Sequence, residues 1–414
     1  MLSVISYYLW IITTFIIILS GIYLSFYLKL PQYKLSKKVN ISDKKMKSNS
    51  LKLLNLTLAG KIGVGSISGI AISIIVGGKG TILWIWLSLI IISIFTYLEV
   101  KTGIKYRLKT KDVVIGGPQV YIEKELNNKK LSKIYTFLVI ITFLVSFILI
   151  QSNTIITTIV ETFLINKIIV IILLLFLFFI STKKGVKTTS KIVMFLVPIM
   201  GTIYVIIGLY VLFINIKLIP KIISSIINEA FNIKSILTIP LIVGFQRSIF
   251  SNESAMGTTS MIVSLSENNN YKEEFKIQLI GMYFITLIIC TISALLILTT
   301  NYEILNIKNL NGIEIINYAF NYHFGCYGKM LSTLIISLFA FSTIITSYYY
   351  GEICIKYLFK NKSNKISKII AIIVIIFSTS ISGKSIWGIV DITSALLTII
   401  NIYVFIKMRK KLKE

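Results

Sequence analysis

An all-α integral membrane fold of about eleven transmembrane helices is predicted for this chain by three observations. Of its 414 residues, 55% are hydrophobic and only 14% charged, and the mean hydropathy is +0.85. Apolar runs long enough to cross a bilayer recur along the sequence. The lysines are gathered into some of the intervening loops and nearly absent from others. A soluble domain of this size could not hide so much apolar surface. About 20 apolar residues suffice to cross the ~30 Å hydrocarbon core. Barrel strands alternate in polarity and are about ten residues long, so a β-barrel is excluded.

The spans fall near residues 5–28, 55–77, 81–103, 134–160, 166–182, 189–214, 229–265, 275–299, 329–358, 367–383 and 385–406. The first is too long for a removable signal peptide, and it lacks a basic start and a small-residue cleavage site. The Lys-rich loop YKLSKKVNISDKKMK (33–47) is assigned to the cytoplasm by the positive-inside rule, which puts the N-terminus outside. Loops 104–133, 183–191 and 359–368 and the tail KMRKKLKE then fall inside, and all are basic. GGKG (77–80), SGKS (382–385) and 300–328 fall outside and are poor in Lys, while SENNNYKEEFK (266–276) falls inside but is close to neutral. This distribution accounts for the net charge of +27 without nucleic acid as a partner. The reading is a multi-pass cell-membrane protein with a cytoplasmic C-terminus, working as a monomer in the lipid bilayer. Cys290, Cys326 and Cys354 show no disulfide or metal-ligand spacing. The only histidine, His323, reads as an exposed residue of the Asn-rich outer loop 300–328. There is no metal cluster, nucleophile–base set or phosphate loop, so an enzyme is not expected.

Two spans are interrupted. The second carries Gly60, Gly63, Gly65 and Gly69 near its middle, and the seventh carries Pro240 and Gly244, then RSIFSNESAMG with Arg247, Glu253 and Gly257. Each glycine weakens a helix by roughly 1 kcal/mol relative to Ala. Backbone freed within a bilayer costs several kcal/mol per group unless it lines a cavity or finds a partner. Close helix contact through small residues is an alternative for the first cluster. It does not account for Arg247 and Glu253, because ionisable residues at depth face a bundle interior and mark transport paths. With the first span (5–28) set aside as a peripheral helix, the two interrupted spans open successive sets of five, 55–214 and 229–406. Five spans in one orientation followed by five in the other make an inverted repeat within a single transmembrane domain, 1–414. Interrupted segments at corresponding positions point to a transporter binding site. An exposed half-helix N-terminus suits a carboxylate, and unwound carbonyls suit a sodium ion.

The run KIGVGSISGIAISIIVGGKGTILWIW (61–86) resembles the signature of the sodium:alanine/glycine symporter family, approximately GTGNIAGVATA followed by GGPGA and FWMW. GGPQVYIEKEL (116–126), QSNTI (151–155), GFQRSIFSNESAMGT (244–258) and FAFSTIITSYYYGEICIKYLF (339–359) agree in order, so the likeness covers nearly the whole chain. The family's fold is of the leucine-transporter type, a 5+5 inverted repeat with one extra N-terminal helix.

The resemblance implies that a substrate carboxylate meets backbone N–H groups at Val64, Gly65 and Ser66. It implies that Gln151 bonds the substrate, and that Gly244, Phe250, Asn252 and Thr346 close around it. A helix-to-helix hydrogen bond is the alternative reading of Gln151. A coupling Na⁺ would be held by the carbonyls of Ala59 and Ile62 and the hydroxyls of Ser342 and Thr343. Gly63 and Gly257 are assigned to the breaks, and Arg247 and Glu253 to a gate or to support of the broken region. Ser66 stands where the family has Asn and Val64 where it has Thr, which puts a second sodium site in doubt. Lys79 replaces the Pro of GGPG, and Ile285 a family Asp. Thr346 and Ser347 replace Gly-Trp, which predicts more room and a substrate other than alanine. The expected function is Na⁺-coupled symport of a small neutral amino acid by alternating access. Two alternatives stay open: a non-transporting amino-acid sensor on the same fold, and an H⁺-coupled transporter with Glu99 or Glu253 as the carrier.

Overall fold

The computed structural model describes residues 2–35, 44–109, 114–183, 186–232, 239–304, 312–359, 363–381 and 383–413. The Lys-rich loops 33–47, 104–133, 183–191 and 359–368, the loops 300–328 and 382–385 expected on the outer side, and the tail lie partly outside the described residues.

The fold opens with α1 (Leu2–Tyr27), whose apolar residues sort by side. Trp10, Ile17 and Leu24, seven apart, are fully buried, while Tyr8, Ile12, Leu19 and Phe26 face outward. A short turn, α2 (Pro31–Lys34), leads to α3 (Lys44–Lys61) and α4 (Val64–Gly77), which meet at a 41° bend. Next come α5 (Thr81–Tyr106), the two-residue antiparallel strands β1 (Leu108–Lys109) and β2 (Val114–Ile115), and α6 (Pro118–Leu126). Helix α7 (Lys129–Val139) passes through a π-helical stretch, Ile140–Phe147, into α8 (Ile148–Phe163). Then follow α9 (Lys167–Thr182), α10 (Val186–Ile214) and α11 (Ile219–Ala230). The second half has α12 (Ile239–Asn252), α13 (Thr258–Val263), and α14 (Tyr271–Tyr283) joined to α15 (Thr291–Leu298) by a second π stretch, Phe284–Cys290. It closes with α16 (Gly312–Phe324), α17 (Gly328–Phe359), α18 (Ser363–Phe377) and α19 (Gly383–Lys413).

Among the described residues seven helices are long and apolar enough to cross a membrane, or eight with α3 and α4 taken as one bent span. Of the other three expected spans, 166–182 is the 16-residue α9, 367–383 overlaps the 15-residue α18, and 229–265 contains the interrupted pair α12 and α13. Helix α9 shows why apolar length serves here: Ile168, Ile169, Ile172 and Phe176 are exposed, which only a lipid surround tolerates. In the interior, α12 packs on α4 and α5, and α17 lies along α8 and α3. Helix α1 packs against α19 and α5, and Trp10 Nε1 donates to the Asp391 carbonyl at 3.0 Å.

Three expectations need correction. Helix α3 begins at Lys44, eleven residues before the expected 55, because its first turns are polar and hydropathy alone reads them as loop. The expected loop 300–328 contains α16, which turns Ile315, Ile316, Ala319 and Phe320 inward onto α4 and α17. At 13 residues it is too short to register as a span. His323 lies on it, half-buried, with Nε2 3.1 Å from Thr299 Oγ1 and 3.1 Å from the Leu296 carbonyl. Lastly, Pro240 and Gly244 do not interrupt the seventh span. Pro240 sits in the first turn of α12, where its missing N–H costs nothing, and the helix runs on to Asn252.

The true interruption is Glu253–Gly257. Glu253, Ala255 and Gly257 have φ of 46°, 63° and 83°, and for the two non-glycine residues the left-handed conformation costs about 1–3 kcal/mol each. A Cβ at Gly257 would also lie 2.5 Å from Tyr135 Oη and 2.8 Å from Pro118 Cδ. Gly257→Ala is therefore expected to destabilise the protein by at least about 1–3 kcal/mol, read as a lower midpoint in a detergent thermal-shift assay.

Candidate functional site

At the first break the chain is extended at Gly63 (φ −125°, ψ −161°), which frees the first amides of α4. The Gly63 carbonyl accepts from Ser66 N at 3.2 Å and from Ser66 Oγ at 2.9 Å. Val64 N donates to Gln151 Oε1 at 3.2 Å, so the side-chain amide from α8 occupies a position that an anionic oxygen can take over. The Phe250 ring from α12 lies directly on Gly65, leaving no room there for a Cβ. That ring is stacked on Phe147 (centroids 5.1 Å apart) and lies tilted against Trp387 of α19 (5.4 Å). Thus Val64, Gly65, Ser66, Gln151 and Phe250 meet as one group.

Beside it lie the residues expected to hold a cation. Thr343 Oγ1 donates to the Ala59 carbonyl at 3.0 Å, with the Gly60 carbonyl at 3.5 Å, and Ser342 Oγ donates to Ala59 at 3.2 Å. Both hydroxyls also reach their own helix at Phe339, at 2.9 and 3.0 Å. This is the back-bonding that lets a polar residue sit in an apolar helix. A Cβ at Gly63 would collide with Thr343 Oγ1, so the glycine lets α17 approach the break. Ile62 is fully buried at the same break, with its N–H bonded to Leu58 O at 2.7 Å. Thr346 lies one turn along α17, bonded to Ser342 O at 3.0 Å. Its methyl is 3.1 Å from a Cβ built at Gly60. The neighbouring Ser347 hydroxyl is buried and has no hydrogen bond.

The unwound stretch Glu253–Gly257 is held by three other helices. Glu99 Oε1 (α5) accepts Gly257 N at 2.8 Å, Tyr135 (α7) donates to Met256 O at 2.5 Å, and Asn401 Nδ2 (α19) donates to Ala255 O at 2.9 Å. Backbone groups that have left helical bonding are thereby satisfied inside the bundle. Glu253 accepts from Tyr350 Oη at 3.1 Å.

Sequence put Arg247 and Glu253 together, and the structure separates them. Arg247 is six residues before the break, in regular helix, and pairs with Asp391 of α19 at 3.5 Å, too long for a hydrogen bond. Its guanidinium lies 5.1 Å from the Trp387 ring and 5.9 Å from Phe250. Two expected substrate residues also stand apart from the group. Gly244 faces α5, where a Cβ would lie 2.5 Å from Trp84 Cβ and 3.1 Å from Thr81 O, so its small size serves helix contact. Asn252 turns its Nδ2 to Ser248 O (3.0 Å) and Thr286 Oγ1 (2.8 Å). Its buried Oδ1 has no hydrogen bond, so the carbonyl end alone is left for a ligand.

Asp391, Trp387, Phe147, Tyr350 and Lys61 were not singled out from the sequence. An acid in the last span and a lysine in the middle of the second were visible as ionisable residues at depth. The aromatic partners carry no comparable signal, because they meet only in the fold.

Two interrupted helices crossing in a bundle, with an oxygen cage and opened amides at one break, define a membrane transporter of the leucine-transporter type. The fold is the one seen in the solved structure of MhsT in complex with L-phenylalanine, with a TM-score of 0.65, 13% identity and 90% of each chain covered. The chain belongs to the sodium:alanine symporter family, whose model matches residues 1–414. Relatives include the probable sodium/glutamine symporter GlnT of Bacillus subtilis, 28% identical over 97% of this chain and 86% of that protein. The amino-acid carrier protein AlsT of the same organism is 27% identical over 86% and 77%. The sodium/alanine symporter AgcS of Methanococcus maripaludis is 26% identical over 84% and 79%. The chain is accordingly an amino-acid transporter embedded in a membrane, and not an enzyme.

Proposed function

We propose that this transporter couples the inward movement of a small neutral amino acid to Na⁺ by alternating access between two inverted repeats, 55–214 and 229–406. The carrying observation is the convergence of the Ser342 and Thr343 hydroxyls on the Ala59 carbonyl at the break of α3 and α4. These are neutral oxygens, suited to a hard monovalent cation. On binding sodium the hydroxyls turn their lone pairs to the ion and let go of Ala59, which ties α17 to the broken helix through the ion. The substrate carboxylate displaces Gln151 from Val64 N, where the helix dipole favours it. Gln151 then bonds the substrate. Phe250, between Phe147 and Trp387, is the apolar lid, and the Arg247–Asp391 pair stands beside it. The Lys-rich ends face the cytoplasm, with the N-terminus outside. The protein works as a monomer.

The test is uptake of labelled alanine, glycine, serine and glutamine into proteoliposomes, with and without an inward sodium gradient. Accumulation above the external concentration with sodium is expected. Binding without accumulation would make the chain a sensor. Thr343→Ala removes one oxygen from the ion. It is expected to raise the half-saturating sodium concentration by about 10- to 150-fold, from a charge-assisted contact of about 1.5–3 kcal/mol. An unchanged sodium dependence would remove Thr343 from the cage.

A further inference from the structure

Apart from the residues expected to touch substrate or cation, a buried hydrogen-bond chain ties the first break to α10. Ser293 of α15 is fully buried, and its hydroxyl donates at 3.0 Å to the carbonyl of Ser66, in the first turn of α4. The same hydroxyl lies 2.9 Å from the Ile289 carbonyl of the preceding turn. Tyr204 of α10, also fully buried, has its Oη 2.7 Å from Ser293 Oγ. A serine hydroxyl has one hydrogen to give, so with that hydrogen on a carbonyl the tyrosine is the donor to Ser293. Glycines bring the two helices close enough for this. Gly201 and Gly208 share the Tyr204 face of α10, and a Cβ at Gly208 would lie 2.5 Å from Ile292 Cγ2.

The Tyr204 ring also meets α17. It stands edge-on to Phe339, with centroids 5.5 Å apart, and the Phe339 carbonyl is the one that accepts from Ser342 and Thr343. One side chain thus touches the turn next to the expected cation hydroxyls with its ring, and reaches the opened helix start with its hydroxyl.

Ser293 gives this chain two positions. Its hydrogen has two acceptors at nearly equal distance, Ser66 O on α4 and Ile289 O beside it, so letting go of α4 leaves no buried hydroxyl unsatisfied. Donation from Tyr204 polarises the hydroxyl and strengthens whichever bond it makes. We propose that Tyr204 is a positioning residue that couples the two parts of the site: seated against Phe339, it sets Ser293 on the Ser66 carbonyl and so holds the start of α4 in the orientation that receives the substrate carboxylate. The inference rests on the transport reading above. Order in the turn of Ser342 and Thr343 fixes Phe339, Phe339 fixes the tyrosine ring, and the ring's hydroxyl decides which carbonyl Ser293 takes. Coupling between two sites requires a two-state element that both of them bias, and the Ser293 hydrogen is that element.

Equilibrium binding of labelled alanine, glycine, serine and glutamine to the purified protein, without sodium and at saturating sodium, tests this. In the unaltered chain, binding of the amino acid that the sodium gradient accumulates is expected to be tighter with sodium. Tyr204→Phe keeps the ring on Phe339 and removes only the hydroxyl. It is expected to cut that tightening by about 2- to 12-fold, the range of one hydrogen bond. Ser293→Ala leaves Tyr204 in place and gives a second reading should the first variant fail to fold. It is expected to show a loss of the same size, and the double variant no greater loss than either alone, because both act through one chain. Equal weakening with and without sodium would reduce Tyr204 to a structural contact and overturn the inference. Unchanged binding in both variants, or additive losses, would overturn it as well. Sodium-driven uptake by the unaltered chain would leave the transport reading standing in each of those cases. If the unaltered chain neither binds nor accumulates any of the four amino acids, both fall.

Discussion

Arg247→Glu is expected to reduce uptake more than about 100-fold while leaving membrane insertion intact. Asp391 would then face a second carboxylate across the 3.5 Å now closed by an ion pair, with both side chains almost out of reach of water. Losing one partner of a buried pair costs about 3–5 kcal/mol, and replacing it with a like charge is worse. The Arg247 guanidinium also faces Trp387 and Phe250, so reversal removes its hold on both rings of the lid. Insertion depends on the apolar length of the spans and the lysines of the loops, which the substitution does not alter. Transport rates in proteoliposomes, normalised to membrane yield and size-exclusion profile, check this. Normal uptake would remove the pair from the gate. The exchange Arg247→Glu with Asp391→Arg restores opposite charges and is expected to recover part of the activity.

Gly65→Ala is the second large effect. An added Cβ would lie 2.6 Å from Phe250 Cδ1, and closer still to Cε1. The ring cannot step aside, because Phe147 and Trp387 hold its two flanks. Overpacking of this kind costs about 1–3 kcal/mol. It falls on the contact proposed to close over the substrate, so a drop of about 10- to 100-fold in kcat/KM for uptake is expected. Phe250→Leu in the same chain makes room for the methyl, and a positive coupling between the two substitutions in a double-mutant cycle is the signature of the contact. Additive losses would mean that Gly65 and Phe250 act apart.

These two residues show how far the sequence could be read. Gly63 and Gly65 were legible, because glycines clustered in an apolar run have few uses. The structure gives both close contacts, with Thr343 and with Phe250. The position of the second break was not legible. Pro240 and Gly244 are the stronger local signals for a break, yet α12 absorbs both. The chain unwinds at Glu253–Gly257, where Glu99, Tyr135 and Asn401 wait from distant parts of the sequence. Hydropathy and propensity see neighbours along the chain, and these partners are not neighbours. Asp391 was visible as an acid at depth, but its partner Arg247 lies in a distant span and could not be read from neighbours along the chain. Lys61 was read as part of a motif and not as a charge that must be answered. Helix α16 was missed because its amphipathic face, and not its length, is what buries it.

The π stretch at Ile140–Phe147 has a consequence for Gln151, which follows it by four residues. A turn of this kind carries one residue more than an α-helix would fit into the same rise. Pushing that surplus toward either end rotates the neighbouring segment by roughly 100° and slides it by ~1.5 Å, with no bond in the rest of the helix lost. The Gln151 amide would swing off Val64 as a key turns out of a lock. The helix thus holds, in a single supernumerary residue, a way to release and re-form the Gln151–Val64 contact while its far end stays anchored.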